Sequence, residues 1–85
     1  MTGLGEAEVL LDCRGMLCPL PIVELGRAFG DVAPGATVVL LADDPAAEAD
    51  VRAWCRMRGQ ELVDRTAYDE LTSGRPATAY RIRRV

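Results

Sequence analysis

The first third of the chain has the hydrophobic pattern of a strand followed by that of a helix. Over residues 8–12, Val9 and Leu11 alternate with Glu8, Leu10 and Asp12, which predicts a strand. Apolar residues then recur at helical spacing, including Ile22 and Leu25. We therefore expect a helix from near residue 19 to about residue 30, opened by proline in its first turn and ended by glycine.

The remaining two thirds predict a strand, a helix and two further strands. Residues 37–42 are continuously apolar and branched, which is typical of an internal strand. A second helix is predicted over 45–58, after an aspartate cap and before Gly59 as a left-handed end. Residues 61–66 and 78–84 have the pattern of strands, and the polar segment between them suits a long hairpin loop.

The predicted order is βαβαββ, which indicates a two-layer α/β (α+β) sandwich. A four-stranded mixed sheet would carry both helices on one face. Strands joined by a helical crossover should pair in parallel, and the last two strands should pair antiparallel. We expect one domain over 1–85, with its core over about 8–85.

Composition and charge narrow the classes of function. The 85 residues are 49% hydrophobic and 27% charged, as expected of one small globular domain. No apolar run approaches the roughly 20 residues that span a bilayer, so no membrane insertion is expected. The first residues lack a basic start and a hydrophobic signal core, which favours a cytoplasmic location.

The ionisable residues exclude several kinds of chemistry. A net charge of −3 argues against direct nucleic-acid binding. All ten basic residues are arginine, so the chain has no lysine for a Schiff base and no histidine for acid–base catalysis. Without histidine or a C-x-x-C spacing, we expect no metal site and no cofactor.

The cysteine at position 18 is the strongest candidate for chemistry. It stands between the first strand and the first helix and is followed directly by Pro19. Unpaired N–H groups and the dipole at a helix start favour thiolate, which is the reactive form of cysteine. Pro19 and Pro21 would stiffen the turn, and the Arg14 cation would favour the Cys18 thiolate further or hold an oxyanion such as thiosulfate.

The other two cysteines receive different interpretations. Cys13 ends the first strand, where its side chain faces either the core or the sheet edge, so its role as a resolving thiol for Cys18 stays open. Cys55 lies at helical spacing with Val51, which indicates a buried packing role.

Four residues near the second helix are weaker candidates for partner binding. Asp43 and Asp44 are most simply explained as a helix cap, because two carboxylates at a helix start are favourable there. Trp54 and Met57 most simply serve packing, although either side chain at the rim of the domain would anchor a partner protein.

Two ordered motifs carry a resemblance to a known family. The first is Leu-Asp-x-Arg-Gly at 11–15 followed by Cys-Pro-x-Pro at 18–21, and the second is Ala-Asp-Asp-Pro at 42–45 followed by Trp-Cys at 54–55 and Gly-Gln-Glu-Leu at 59–62. The chain resembles the TusA/SirA-like sulfur-carrier family over nearly its whole length from residue 9. The resemblance implies a βαβαββ two-layer sandwich, in agreement with the order predicted from the pattern.

The resemblance also implies a function for Cys18. In that family the matching cysteine accepts a sulfane sulfur as a persulfide and relays it to another protein. Donors are cysteine desulfurases or rhodanese-type sulfurtransferases, and acceptors serve tRNA thiolation, molybdenum-cofactor assembly or sulfur metabolism. Arg14, Pro19 and Pro21 match as motif residues that shape the site, whereas the position of Cys13 varies among relatives.

Two alternatives remain open from the sequence. One is a regulatory thiol–disulfide switch between Cys13 and Cys18, and the other is a non-catalytic interaction module. The expected oligomeric state is a monomer or a weak homodimer.

Overall fold

The predicted order of helices and strands is confirmed. A computed structural model describes residues 8–68 and 76–85. Within these ranges the elements are β1 (Glu8–Asp12), α1 (Leu20–Phe29), β2 (Thr37–Ala42), α2 (Ala47–Arg58), β3 (Glu61–Tyr68) and β4 (Ala77–Arg83). Most of the predicted hairpin loop before β4 lies outside the described residues.

Both helices begin slightly later than predicted. Pro19 takes the N-cap position of α1, and Pro21 falls in the first helical turn, where a missing N–H is tolerated. The segment before α2 is a turn in which Ala46 N donates to Asp44 Oδ1 at 2.9 Å. Helix α2 ends as predicted, because Gly59 adopts a left-handed φ of 68° and its N–H donates to a carbonyl of the last turn.

The sheet has the strand order β1-β2-β4-β3. Strands β1 and β2 pair in parallel, and β4 pairs antiparallel with both β2 and β3. The expectation that every crossover joins paired parallel strands is wrong for β2 and β3, because β4 lies between them. The burial of the two strands agrees with this order. Strand β4 buries Tyr80 and Ile82, as expected of a central strand. Residues 61–67 of β3 are exposed apart from the half-buried Leu62, as expected of an edge strand.

The core lies between the two helices and one face of the sheet. The two central strands of the sheet contribute alternate residues from its inner face. The helices contribute Leu25 and Val51. They also contribute Phe29 and Trp54, which pack edge to face with ring centroids 4.9 Å apart. The sheet residues of this core are Val38, Leu40, Ala42, Tyr80 and Ile82. The two-layer α+β fold is therefore confirmed, and the C-terminal ends of β1 and β2 lie side by side next to both helix starts.

Candidate functional site

The loop from β1 to α1 is held in place by the two aspartates that follow β2. Gly15 N donates to Asp43 Oδ1 and Oδ2 at 3.0 and 3.1 Å. Cys18 N donates to Asp44 Oδ2 at 2.7 Å. Gly15 itself has a φ of 83°, a conformation that glycine adopts without strain. Asp43 and Asp44 therefore do more than precede a helix, since they fix the segment that carries Cys18.

The Cys18 side chain is exposed, as the predicted reactive role requires, but its electrostatic environment differs from the prediction. Its Sγ donates a hydrogen bond to Asp50 Oδ2 at 2.6 Å. This hydrogen bond raises the pKa of the Cys18 thiol, and the negative charges of Asp50 and Asp44 raise it further. The expectation that the surroundings of Cys18 favour the thiolate is therefore wrong.

The start of α1 does not offer its N–H groups to sulfur. Leu20 N donates to Leu17 O at 2.8 Å, and both Ile22 N and Val23 N donate to Pro19 O at 3.1 Å. Pro21 has no N–H to offer. The first-turn donors that were expected to stabilise a thiolate are therefore satisfied by backbone carbonyls.

Arg14 is directed to a carboxylate and not to the thiol. Its Nε and Nη2 donate to Asp12 Oδ1 and Oδ2 at 2.8 and 2.6 Å. This two-point contact lowers the pKa of Asp12 to about 2. The charges that shift the Cys18 pKa are those of the two aspartates and not that of Arg14, so the expectation that Arg14 lowers this pKa is wrong.

Cys13 and Cys55 are both buried. Cys13 is 2% exposed and Cys55 is 5% exposed, and burial raises the pKa of each thiol. The packing role expected of Cys55 is confirmed. The side chain of Cys13 therefore faces the core at the end of β1. Of the three cysteines, Cys18 is the exposed one.

An apolar groove of about 210 Å³ lies next to Cys18, between α1 and α2. Ile22 and Trp54 line it from the two helices, and Met57 stands at its edge with 78% of its surface exposed. Trp54 is 6% exposed and belongs to the core, which confirms its packing interpretation, whereas Met57 is available for contact with another molecule.

Asp50 was not predicted from the sequence to belong to the site. Its position in α2 follows the inward-facing Ala47 by three residues and precedes Trp54 by four, so it shares a helix face with apolar side chains. An acidic residue on a helix face with apolar side chains could have marked Asp50 as a candidate site residue from the sequence alone. Its partner, 32 residues away in the chain, was not predictable without the fold.

Two features are absent from the described part of the chain: a cluster of metal-ligating side chains and a membrane-spanning helix. Within 8–68 and 76–85, no group of three or more cysteine, aspartate or glutamate side chains is arranged to hold a metal ion. Neither α1 nor α2 is long and apolar enough to cross a membrane.

Comparisons with known proteins agree with the motifs. The family model described as sulfurtransferase TusA matches residues 9–74. A relative from Archaeoglobus fulgidus is 38% identical over 64 residues, which cover 75% of this chain and 79% of that protein. The sulfur carrier protein TusA of Pseudomonas aeruginosa PAO1 is 34% identical over 59 residues, which cover 69% of this chain and 75% of that protein.

A solved structure supports the fold independently. The crystal structure of a SirA-like protein from Desulfitobacterium hafniense superposes with a TM-score of 0.66 and 14% sequence identity. The superposition covers 91% of this chain and 99% of that one. With the family match over most of its length and this shared fold, the chain belongs to the TusA/SirA-like family.

Proposed function

We propose that this protein is a sulfur carrier that accepts a sulfane sulfur on Cys18 as a persulfide and passes it to an acceptor protein. The observation that carries the proposal is the exposure of Cys18 within the family motif, while the other two cysteines are buried. The names of the relatives, which include sulfur carrier protein TusA, support the same role.

The proposed transfer needs only thiol chemistry. The Cys18 thiolate attacks the outer sulfur of a donor persulfide, the bond from Sγ to that sulfur forms, and the donor sulfur leaves as a thiolate that takes up a proton. An acceptor thiolate later attacks the outer sulfur and releases the Cys18 thiolate. Each step is a thiol exchange without net oxidation, so the Cys18 sulfur serves as nucleophile and then as leaving group.

The residues around Cys18 position it for two successive partners. The hydrogen bond from Cys18 N to Asp44 and the proline-containing start of α1 hold the backbone on both sides of the sulfur. We assign Pro19 and Pro21 to shaping this turn, and Arg14 to ordering the preceding loop through Asp12. Met57 is the residue next to the groove that we assign to partner contact.

The proposed partners are a sulfur donor and a downstream acceptor. A cysteine desulfurase or a rhodanese-type sulfurtransferase would supply the sulfur. The acceptor would act in tRNA thiolation, molybdenum-cofactor assembly or sulfur metabolism. Because the role needs a free Cys18 thiol, which a reducing compartment preserves, the proposed setting is the cytoplasm, with the protein acting as a monomer or weak homodimer.

The burial of Cys13 weighs against a thiol–disulfide switch. Exchange requires a thiolate that the partner sulfur can reach, and burial disfavours both the charge and the access at Cys13. A switch would therefore require Cys13 to leave the core. The exposed Cys18 alone is sufficient for sulfur relay.

The test of the proposed function is the mass of the intact protein after incubation with a cysteine desulfurase and cysteine. We expect a gain of one sulfur atom that is lost on reduction and absent in Cys18→Ser. The matched control is Cys55→Ala, which alters a buried cysteine and should still gain the sulfur. Equal gain in wild type and Cys18→Ser, or no gain from either a desulfurase or a rhodanese-type donor, would contradict the proposal.

A further inference from the structure

Asp50 is the side chain that contacts the reactive sulfur. It lies on α2, and Oδ2 is 2.6 Å from Sγ of Cys18, which belongs to the segment before α1. The side chain of Asp50 is half-buried beside the apolar groove between the helices. The contact therefore joins α2 to the turn that precedes α1, and it is made by a short aspartate side chain.

The chemistry of the two groups decides where the proton lies. An ionised carboxylate only accepts hydrogen bonds, so the hydrogen between Cys18 and Asp50 must come from the thiol. A thiolate at the same place would put two negative charges in contact, which is unfavourable. Carboxylic acids are also far stronger acids than thiols, because the unperturbed pKa is about 3.9 for an aspartic acid and about 8.5 for a cysteine. The observed geometry is therefore that of a neutral Cys18 thiol.

The other charges near Cys18 act in the same direction. Asp44, from the segment before α2, accepts the Cys18 backbone N–H and adds a second negative charge. Arg14, from the segment after β1, directs its guanidinium to Asp12. The charged groups that shift the ionisation of Cys18 are thus two carboxylates, of which Asp50 contacts the sulfur itself.

We propose that Asp50 holds Cys18 as a thiol in the unloaded carrier, and that a sulfur donor must displace the Asp50 carboxylate from Sγ before transfer. This inference rests on the proposed sulfur-carrier function and adds a regulating residue to the same site. Asp50 would keep the exposed sulfur a weak nucleophile toward small electrophiles until a donor docks.

Loading with sulfur removes the hydrogen bond. When the donor has displaced Asp50, the Cys18 proton passes to water and the thiolate attacks the outer sulfur of the donor persulfide. The Sγ–S bond forms, the donor S–S bond breaks, and its electron pair leaves with the donor sulfur, which is then protonated. In the product, Sγ is bonded to sulfur and has no hydrogen to donate, so the contact with Asp50 belongs to the unloaded state.

The test compares Asp50→Asn with Glu48→Gln. Both variants neutralise one carboxylate of α2, but Glu48 pairs with Arg52 and Arg65 and not with the thiol. Alkylation of Cys18 by iodoacetamide is followed across a pH series by mass spectrometry of the Cys18 peptide. Asp50→Ala, which removes the hydrogen-bonding group as well as the charge, is measured beside them.

We expect faster alkylation at neutral pH in both Asp50 variants and a wild-type profile in Glu48→Gln. Each unit by which the Cys18 pKa falls raises the thiolate fraction about tenfold and lowers its nucleophilicity about threefold, so the rate should rise about threefold. Loading by a small persulfide such as glutathione persulfide should accelerate in proportion.

An unchanged alkylation profile in both Asp50 variants would overturn the inference. Slower alkylation and loading would also overturn it, since Asp50 would then assist the reaction as a base. Because alkylation does not depend on sulfur loading, a shifted profile in a protein that never gains sulfur would count against the proposed function alone.

Discussion

At the scale of single residues, the protonation of Cys18 depends on contacts made across the fold. Its place before a helix favours the thiolate in principle, but the N–H of Leu20 is bonded to a carbonyl oxygen and a carboxylate contacts Sγ. The hydrogen bond to Asp50 is the main cause of the raised pKa of the Cys18 thiol. In this chain the contact with Asp50 therefore favours the thiol form of Cys18 over the thiolate.

Arg14→Gln tests the assignment of Arg14 to Asp12. We expect the Asp12 pKa to rise from about 2 toward the ordinary carboxyl value, because the cation and its two hydrogen bonds are lost. The measurement is the pH titration of the Asp12 carboxyl carbon by NMR.

The sign of the pH dependence follows from the lowered Asp12 pKa. The stabilisation from the Arg14 contact is present above the unfolded carboxyl pKa, and it is lost as pH falls from about 4 to about 2. Acid unfolding of Arg14→Gln should therefore begin at higher pH than that of wild type. The alkylation profile of Cys18 serves as the control and should stay unchanged, whereas a slower Cys18 reaction would show that Arg14 acts on the thiol.

At the scale of elements, the ends of the two helices are set by different local devices. Helix α1 is followed by Gly30, which keeps a helical φ of −62°, and the chain continues through a turn. Helix α2 is followed by Gly59, which has a left-handed φ of 68° and leads the chain into β3. The two glycines therefore differ in whether a side chain is tolerated.

Gly59→Ala and Gly30→Ala form a matched pair of variants. We expect Gly59→Ala to lower the free energy of unfolding by about 1 kcal/mol, because a Cβ disfavours the left-handed conformation. At Gly30 a Cβ would lie 3.4 Å from Arg27 O, an ordinary contact, so the change should be neutral or slightly stabilising. Urea unfolding measures both, and equal effects of the two substitutions would contradict this account.

At the scale of the whole molecule, one core joins both helices to the central strands. Leu25 of α1 is fully buried, and the same cluster includes Val51 of α2, Leu40 of β2 and Ile82 of β4. Because these contacts connect the N-terminal and C-terminal halves of the chain, we expect the protein to unfold as one cooperative unit, as a single domain does.

Leu25→Ala tests this shared core. We expect it to lower the free energy of unfolding by about 2–5 kcal/mol, a large part of the total for a small domain. Leu20→Ala on the same helix removes the same atoms from a side chain that is 51% exposed, and it should cost less than about 1 kcal/mol. Thermal or urea unfolding followed by circular dichroism should give one transition in each variant. Two separate transitions in either variant would show that the halves unfold independently.

The helices and strands, their arrangement in two layers and Cys18 as the candidate reactive residue could all be predicted from the amino-acid sequence. The order βαβαββ followed from periodicity over neighbouring residues, since the repeats of helix and strand are local properties of the chain. Proline and glycine marked the helix ends within about two residues, because their backbone preferences are also local. The motif around Cys18 identified the family for the same reason, as its residues are adjacent in the chain.

The strand order in the sheet, the burial of Cys13 and the surroundings of the Cys18 thiol became clear from the folded chain. Strand β4 lies between β2 and β3 in the sheet, as suits a strand that buries Tyr80 and Ile82 in the core. Asp50 reaches Cys18 across 32 positions, and Arg14 turns to Asp12 although it is only four residues from the thiol. Charge interactions depend on distance in space, which helix packing sets and sequence spacing does not.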